Sequence, residues 1–424
     1  MKTACRFFDR HFPSPRFAHI AMLILSASLA GVPLLHAQKL TLLHAFAGMP
    51  DGVGPVAAPI HDKQGNLYST TYAGGTSDWG TVYKIDPQGH ETVLHSFTGG
   101  TDGITPESGL VMDAQGNLYG TTYWGGSTNC FHTYGCGVVY ELSPGSNGWK
   151  ETILYVFQGG SDGAYPEYGT LVRDAKGSLY GTTAYGGSAS WPNGNGVVFK
   201  LSKSSGGWKE QVYAFGSNAP SDGANPYGGV TLDAAGNIYG TTYYGGTEGN
   251  GTVFKITASG TESVLYSFTG GTDGADPMAA PVLDPTGNLY GGTTFAGDPN
   301  CSCGTIYKVD PTGVETVLHT FTGYPNDGAS PHAPLLRDNS GNLYGTTYYG
   351  GNSKSADCTD NNQPIGCGTV FQMAPSGKER ILNLNYQTEG GQVYAGVAFY
   401  AGALYGATSS GGSRGDGVVF KISK

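Results

Sequence analysis

Along most of this chain apolar and polar residues alternate in short bursts, each closed by Gly, Pro, Asn or Asp. Four such bursts are Ser108-Gly109-Leu110-Val111-Met112-Asp113, Leu118-Tyr119-Gly120-Thr121-Thr122, Gly137-Val138-Val139-Tyr140-Glu141-Leu142 and Glu151-Thr152-Ile153-Leu154-Tyr155-Val156-Phe157. They are rich in Val, Ile, Leu, Thr and Tyr, and no segment after residue 37 sustains a helical period, so the pattern predicts an all-β protein. The set of four recurs. Its clearest landmark, Gly116-Asn117-Leu118-Tyr119-Gly120-Thr121-Thr122, has further copies centred on Tyr68, Tyr180, Tyr239, Tyr290, Tyr344 and Tyr405, at spacings of 51, 61, 59, 51, 54 and 61 residues.

A four-stranded unit of this length cannot bury both faces alone, so neighbouring units must pack face to face. Repeated radially, that packing closes into a seven-bladed β-propeller, with a solenoid as the second choice because its coils are usually shorter. The ends are in register for closure. Leu40-Thr41-Leu42-Leu43-His44-Ala45-Phe46 copies the fourth strand and Gly417-Val418-Val419-Phe420-Lys421-Ile422 copies the third, so the first strand is expected to complete the last blade.

Residues 1–37 read differently. Lys2, Arg6, Arg10 and Arg16 precede an apolar stretch from Ile20 to Leu35 that ends at Leu35-His36-Ala37, the pattern of a secretory signal peptide cleaved before Gln38. A retained signal anchor is the alternative, disfavoured by the polar and helix-breaking Ser26, Ser28, Gly31 and Pro33 within a stretch short for a membrane span. Residues 38–424 are then one propeller domain with no further membrane span, expected to be secreted or periplasmic and monomeric.

Charge narrows the partners. Removing residues 1–37 takes away four basic residues and Asp9, moving the formal charge from −10 to −13, and no basic run remains to bind phosphates. Nucleic acid is therefore not an expected partner.

Six cysteines fall in pairs, Cys130 and Cys136, Cys301 and Cys303, Cys358 and Cys367, each in the loop between the second and third strands of one repeat. They read as local disulfides made in an oxidising compartment. The Cys301 and Cys303 pair lies near the limit of disulfide reach. Zinc held by these cysteines is disfavoured because CxxC spacing is absent. The same face of the disc should carry these loops, the Trp191-Pro192-Asn193 insertion and the Gly-Gly-x-Asp-Gly-x-x-Pro connections, whereas the opposite face carries plain hairpins.

Phe97-Thr98-Gly99-Gly100-Thr101-Asp102-Gly103, the Gly-Asn-Leu-Tyr-Gly-Thr-Thr stretch and Gly251-Thr252-Val253-Phe254-Lys255-Ile256 resemble the bacterial GloVer (Gloeo/Verruco) tandem repeat over essentially the whole of residues 38–424. The resemblance implies an exported repeat protein, supplies no catalytic residues, and here comes without a surface-sorting tail.

Four chemistries compete. The Asp-Gly pairs, including Asp102, Asp162, Asp222 and Asp273, suit Asx turns; as oxygen ligands they also admit calcium, although one carboxylate per blade is spread around the ring. His44, His95 and His319 occupy the position held by Tyr155, Tyr213 and Tyr266 in other copies, which reads as packing. The aromatics after the Thr-Thr pair, Trp124 among them, suit blade packing or, with Trp191, stacking on sugar rings. The most informative position follows the repeated proline: Val56, Glu107, Glu167, Tyr227, Met278 and His332, with Tyr394 after Val393 in the seventh copy. Its neighbours scarcely change whereas it changes every time, so Glu107, Glu167, Tyr227, His332 and Tyr394 are expected at the mouth of the central channel. A tolerant, solvent-filled opening is the plain alternative. The functional expectation is a non-enzymatic binding or scaffold propeller for carbohydrate or cell-surface glycan, needing no cofactor. Its rival is a glycan-active hydrolase or lyase with Glu107 and Glu167 as acid and base.

Overall fold

The computed structural model describes residues 39–126, 130, 133–187, 194–216, 222–360, 363–384 and 386–423. Among these residues seven four-stranded antiparallel sheets form the blades of a propeller ring, with one 3₁₀ turn at Gly160–Asp162 and one helical turn at Tyr386–Glu389. Blade 2 shows the pattern, with strands Val111–Met112, Leu118–Thr122, Val138–Gly145 and Gly148–Val156 in that spatial order. Blade 7 takes Val397–Tyr400, Ala403–Thr408 and Val418–Ser423 from one end of the chain and Lys39–Ala45 from the other. Lys39 pairs with Ser423 and Ala45 with Val418, so the expected closure by the N-terminal strand is found. The region proposed as a signal peptide lies outside the described residues.

The repeated motif builds the contacts between blades. The glycine of Gly-Thr-Thr leaves room for the third-strand aromatic of its own blade: a Cβ on Gly181 would lie 2.6 Å from Cζ of Phe199. That ring is met edge-on by the Phe that ends the preceding fourth strand, as in Phe157 on Phe199, Phe215 on Phe254 and Phe46 on Tyr83, with centroids 5.2, 5.1 and 5.1 Å apart. These rings are fully or almost fully buried, and such pairs add about 0.5–1.5 kcal/mol beyond area burial. Nearer the axis the first threonine crosses to the next blade: Thr182 Oγ1 donates to the Gly228 carbonyl at 2.8 Å, Thr241 to Ala279 at 2.9 Å and Thr346 to Ala395 at 2.9 Å. The tyrosine of the motif donates instead to the hairpin aspartate six residues before it, as Tyr119 to Asp113 at 3.0 Å.

The first strand is shorter than the pattern predicts, two residues in blade 2 rather than the six from Ser108 to Asp113. The inner segment is used between blades instead of in a ladder: the Ser108 carbonyl accepts from Thr70 of blade 1 at 2.9 Å, and Gly109 packs against Thr170 of blade 3. Outside it, the third and fourth strands of blade 2 run on into a hairpin that carries Trp149.

Deleting residues 39–46 removes the fourth strand of blade 7 and the Phe46 ring. The expected outcome is a melting temperature lower by about 10 °C or more with aggregation through the exposed edge, read by calorimetry and light scattering. Unchanged melting contradicts closure.

Candidate functional site

The residue two before each variable position sits in left-handed backbone. Thr105, Tyr165, Asn225, Asp276, Ser330 and Gln392 have φ between 55° and 60°, and Gly54 has 65°. An L side chain adopts this conformation only when the surroundings hold it there. Two hydrogen bonds do so. The Tyr165 amide donates to the Cys136 carbonyl at 2.9 Å, Ser330 to Cys303 at 2.8 Å and Gln392 to Cys367 at 2.7 Å; the carbonyls of the same residues accept from Ala184, Tyr348 and Ser409. Each disulfide loop thereby fixes the backbone that presents the next blade's variable residue, namely Glu167, His332 and Tyr394. All three pairs are bonded, with Cα atoms 5.4, 5.2 and 5.2 Å apart, including Cys301 with Cys303. The connections pair with the loop that follows the second strand in every blade, for example Ile104 with Trp124 in a blade with a cysteine loop and Ala164 with Tyr185 in one without, so connections and cysteine loops share one face.

The side chains that follow meet. The Tyr394 ring lies 5.1 Å from Tyr168 and 4.8 Å from His332, and His332 stacks on Tyr348 at 5.1 Å. The Tyr168 hydroxyl interacts electrostatically with Glu107, Glu167 and Tyr394. Tyr227 reaches Tyr185 with hydroxyls 3.3 Å apart and packs edge-on against Tyr243. Burial pushes the Glu107 carboxyl up to about 7. Glu167 rises to about 8, by burial first and the charge of Glu107 second, with Tyr168 pulling the other way. Burial takes His332 down to about 4, so the ring is neutral, and its Nδ1 has no hydrogen-bond partner. Tyr72 and Tyr123 feel the charge of Glu107, and Tyr123 and Tyr227 that of Glu167. These side chains thus form a tyrosine-rich cluster around two carboxyls and a neutral imidazole, with no basic side chain among them.

Val56 and Met278 hold the equivalent half-buried places but add no polar group. Trp124 packs its ring 4.8 Å from Tyr123 and 5.6 Å from Tyr134, in the rim of the Cys130 loop. Trp191 lies outside the described residues. Tyr168 is the residue that sequence reasoning missed. Its column reads Ala57, Ser108, Tyr168, Gly228, Ala279, Ala333 and Ala395, so one bulky member among small ones was the available signal. A groove of about 890 Å³ between blades 3 and 4 is lined by the opposite face's hairpins, including Lys176, Ala235 and Ser259, and holds none of the mouth residues.

The aspartates and histidines have another place, at the outer seam between blades. Each Asp caps its own turn, as Asp102 accepting from the Thr98 amide at 2.8 Å and Asp273 from Thr269 at 2.7 Å. Each also faces a glutamate on the next blade's fourth strand. The sets are His44, Asp51 and Glu91; His95, Asp102 and Glu151; Tyr155, Asp162 and Glu210; Tyr213, Asp222 and Glu262; Tyr266, Asp273 and Glu315; and His319, Asp327 and Glu379. Burial, then the neighbouring Asp charge, pushes Glu91, Glu262 and Glu315 up to about 7 and Glu151 to about 8. Glu210 is also driven up, by burial and then by its bond and charge interaction with Asp162.

The profile of the Gloeobacter/Verrucomicrobia repeat matches residues 34–221 and 192–357. No curated protein matches the chain. Among solved structures, a gluconolactonase from Xanthomonas campestris is similar at 15% identity and TM-score 0.42, covering 72% of this chain and 86% of its own. A luciferin-regenerating enzyme is similar at 14% identity and TM-score 0.42, covering 75% and 91%.

The raised seam glutamates give stability a pH dependence with a fixed sign. A carboxyl whose folded value exceeds its ordinary 4.5 contributes stability that is complete below that value and is lost as pH rises through 7 to 8. The melting temperature is expected to fall by about 5 °C or more between pH 5 and pH 9, and Glu210→Gln with Glu262→Gln to flatten the fall. A melting temperature independent of pH over that range contradicts the buried seam.

Proposed function

The chain belongs to the Gloeobacter/Verrucomicrobia repeat family, and we propose that it is a monomeric, extracytoplasmic binding module that seats a carbohydrate or cell-surface glycan at the tyrosine-lined channel mouth. The observation that carries this reading is the meeting of Glu167, Tyr168, His332 and Tyr394, from three different blades, in one cleft. Tyrosine faces accept the C–H face of a pyranose, while phenol hydroxyls, two carboxyls and the unpartnered Nδ1 of His332 offer donors and acceptors to its hydroxyls. Without a basic side chain the cleft disfavours acidic ligands and suits neutral or amino sugars. Three disulfides, and no helix among the described residues long and apolar enough to cross a membrane, accord with a place outside the cytoplasm.

One observation favours a second reading, hydrolase or lyase. Glu107 and Glu167 interact electrostatically and both hold protons near neutral pH, as a general acid must. A glycan array followed by product analysis, repeated on Glu107→Gln with Glu167→Gln, separates the readings. The binding module is expected to retain bound glycans unaltered and to lose no more than about tenfold in affinity, whereas an acid–base enzyme should lose about 100- to 10,000-fold in rate. Absence of glycan binding by the parent protein contradicts the proposal.

A further inference from the structure

We propose that two of the blade seams, His95 with Asp102 and Glu151, and His319 with Asp327 and Glu379, are binding sites for a first-row divalent metal ion, zinc in the first instance. In each, one nitrogen and two carboxylate oxygens, from three separate segments, lie within 4.8 Å of one another. His319 Nε2 stands 3.2 Å from Asp327 Oδ2 and 3.4 Å from Glu379 Oε2; His95 Nε2 stands 3.9 Å from Asp102 Oδ2 and 3.6 Å from Glu151 Oε1. Ligand atoms about 2.0–2.2 Å from a tetrahedral zinc are themselves about 3.3–3.6 Å apart, so the imidazole-to-carboxylate distances of the His319 set match and those of the His95 set need at most a few tenths of an ångström of contraction.

The His95 set has a further feature that a simple ion pair does not explain. His95 Nε2, Asp102 Oδ1 and Glu151 Oε1 are all shielded from solvent and all without a hydrogen-bond partner. His95 Nε2 and Glu151 Oε1, 3.6 Å apart and both unpartnered, carry a cost that a cation between them and Asp102 removes.

The other seams act as an internal comparison. Where the histidine is replaced by tyrosine, its phenol closes the same gap with hydrogen bonds, Tyr155 to both Asp162 and Glu210 and Tyr266 to Asp273 at 3.0 Å. At the His319 seam the imidazole can likewise donate Nε2–H to Asp327, whereas at the His95 seam the ring nitrogen stands beyond hydrogen-bond distance of both carboxylates, a gap that an ion would close. One imidazole and two carboxylates leave a fourth position open, and the donor mixture favours zinc over calcium, which takes six or more oxygens. The charge of a dication also balances the two carboxylates. The ion would clamp the outer edge of one blade to the next, and the side chains are 9–21% exposed, which gives it a way in from the rim.

The test uses the full exported chain, oxidised, stripped with chelator and dialysed, with zinc chloride titrated at pH 7.5 by calorimetry and by thermal melting. Two equivalents and a rise in melting temperature are expected. His95→Tyr installs the residue that other seams already carry, so it should fold and melt like the metal-free parent while binding one equivalent; His95→Tyr with His319→Tyr should bind none. No saturable binding by the parent, or an unchanged number of sites in the double variant, overturns the proposal. Calcium stabilising the double variant as much as zinc stabilises the parent also overturns it, since carboxylates alone would then hold the cation.

Discussion

The blade-to-blade contacts rest on an aromatic ring laid over a small residue, glycine in six blades and Ser69 in the first. Gly181 under Phe199, Gly240 under Phe254 and Gly406 under Phe420 let the third strand approach the second closely enough for the ring to lie flat, and the preceding blade's phenylalanine then meets its edge. Alanine at Gly240 would put a methyl 2.4 Å from Cζ of Phe254. Threonine completes the seam toward the axis and the Asp and Glu pair completes it toward the rim. Because each contact needs a neighbour on both sides, the arrangement is satisfied only by a closed ring, and the N-terminal strand supplies the last partner.

This explains what was legible in the sequence. The Gly-Asn-Leu-Tyr-Gly-Thr-Thr stretch repeats because each of its members has a local contact to make, so the period, the four strands and the closure could be read from the residues. The first strand was over-read because its carbonyls serve the neighbouring blade, as Ser108 serves Thr70, and no periodicity reports a contact 38 residues away. The histidines were read as packing because tyrosine replaces them. That holds for their position, but their partners, Glu91, Glu151 and Glu379, lie on the next blade at 47 to 60 residues' distance and carry no local signal. Tyr168 was hidden for a different reason: attention to the variable column passed over an exception in the constant one.

The variable positions, like the seams, bury carboxyls that hold their protons to near neutral pH or above. There the backbone is held in left-handed conformation by bonds from the preceding blade's loop, a disulfide loop before Glu167 and His332 and the Trp79 carbonyl before Glu107, and the side chains it presents are carboxyls that burial penalises and an imidazole that burial keeps neutral. A scaffold under selection for stability alone would have put Val there, as the first repeat does at Val56. That such groups cost stability and still gather in one place is the observation on which the proposed binding site rests.

The central claim, that the repeated motif builds the ring while the variable position serves a ligand, is tested most directly by Glu107→Val with Glu167→Val, which gives both blades the residue of Val56. If the carboxyls serve binding and not folding, the variant should melt about 2–5 °C higher than the parent at pH 9, where ionisation inside the cleft is penalised, and within about 2 °C of it at pH 5. A variant that melts well below the parent at both values would show that these residues hold the ring together, and would contradict the assignment of the mouth as a site.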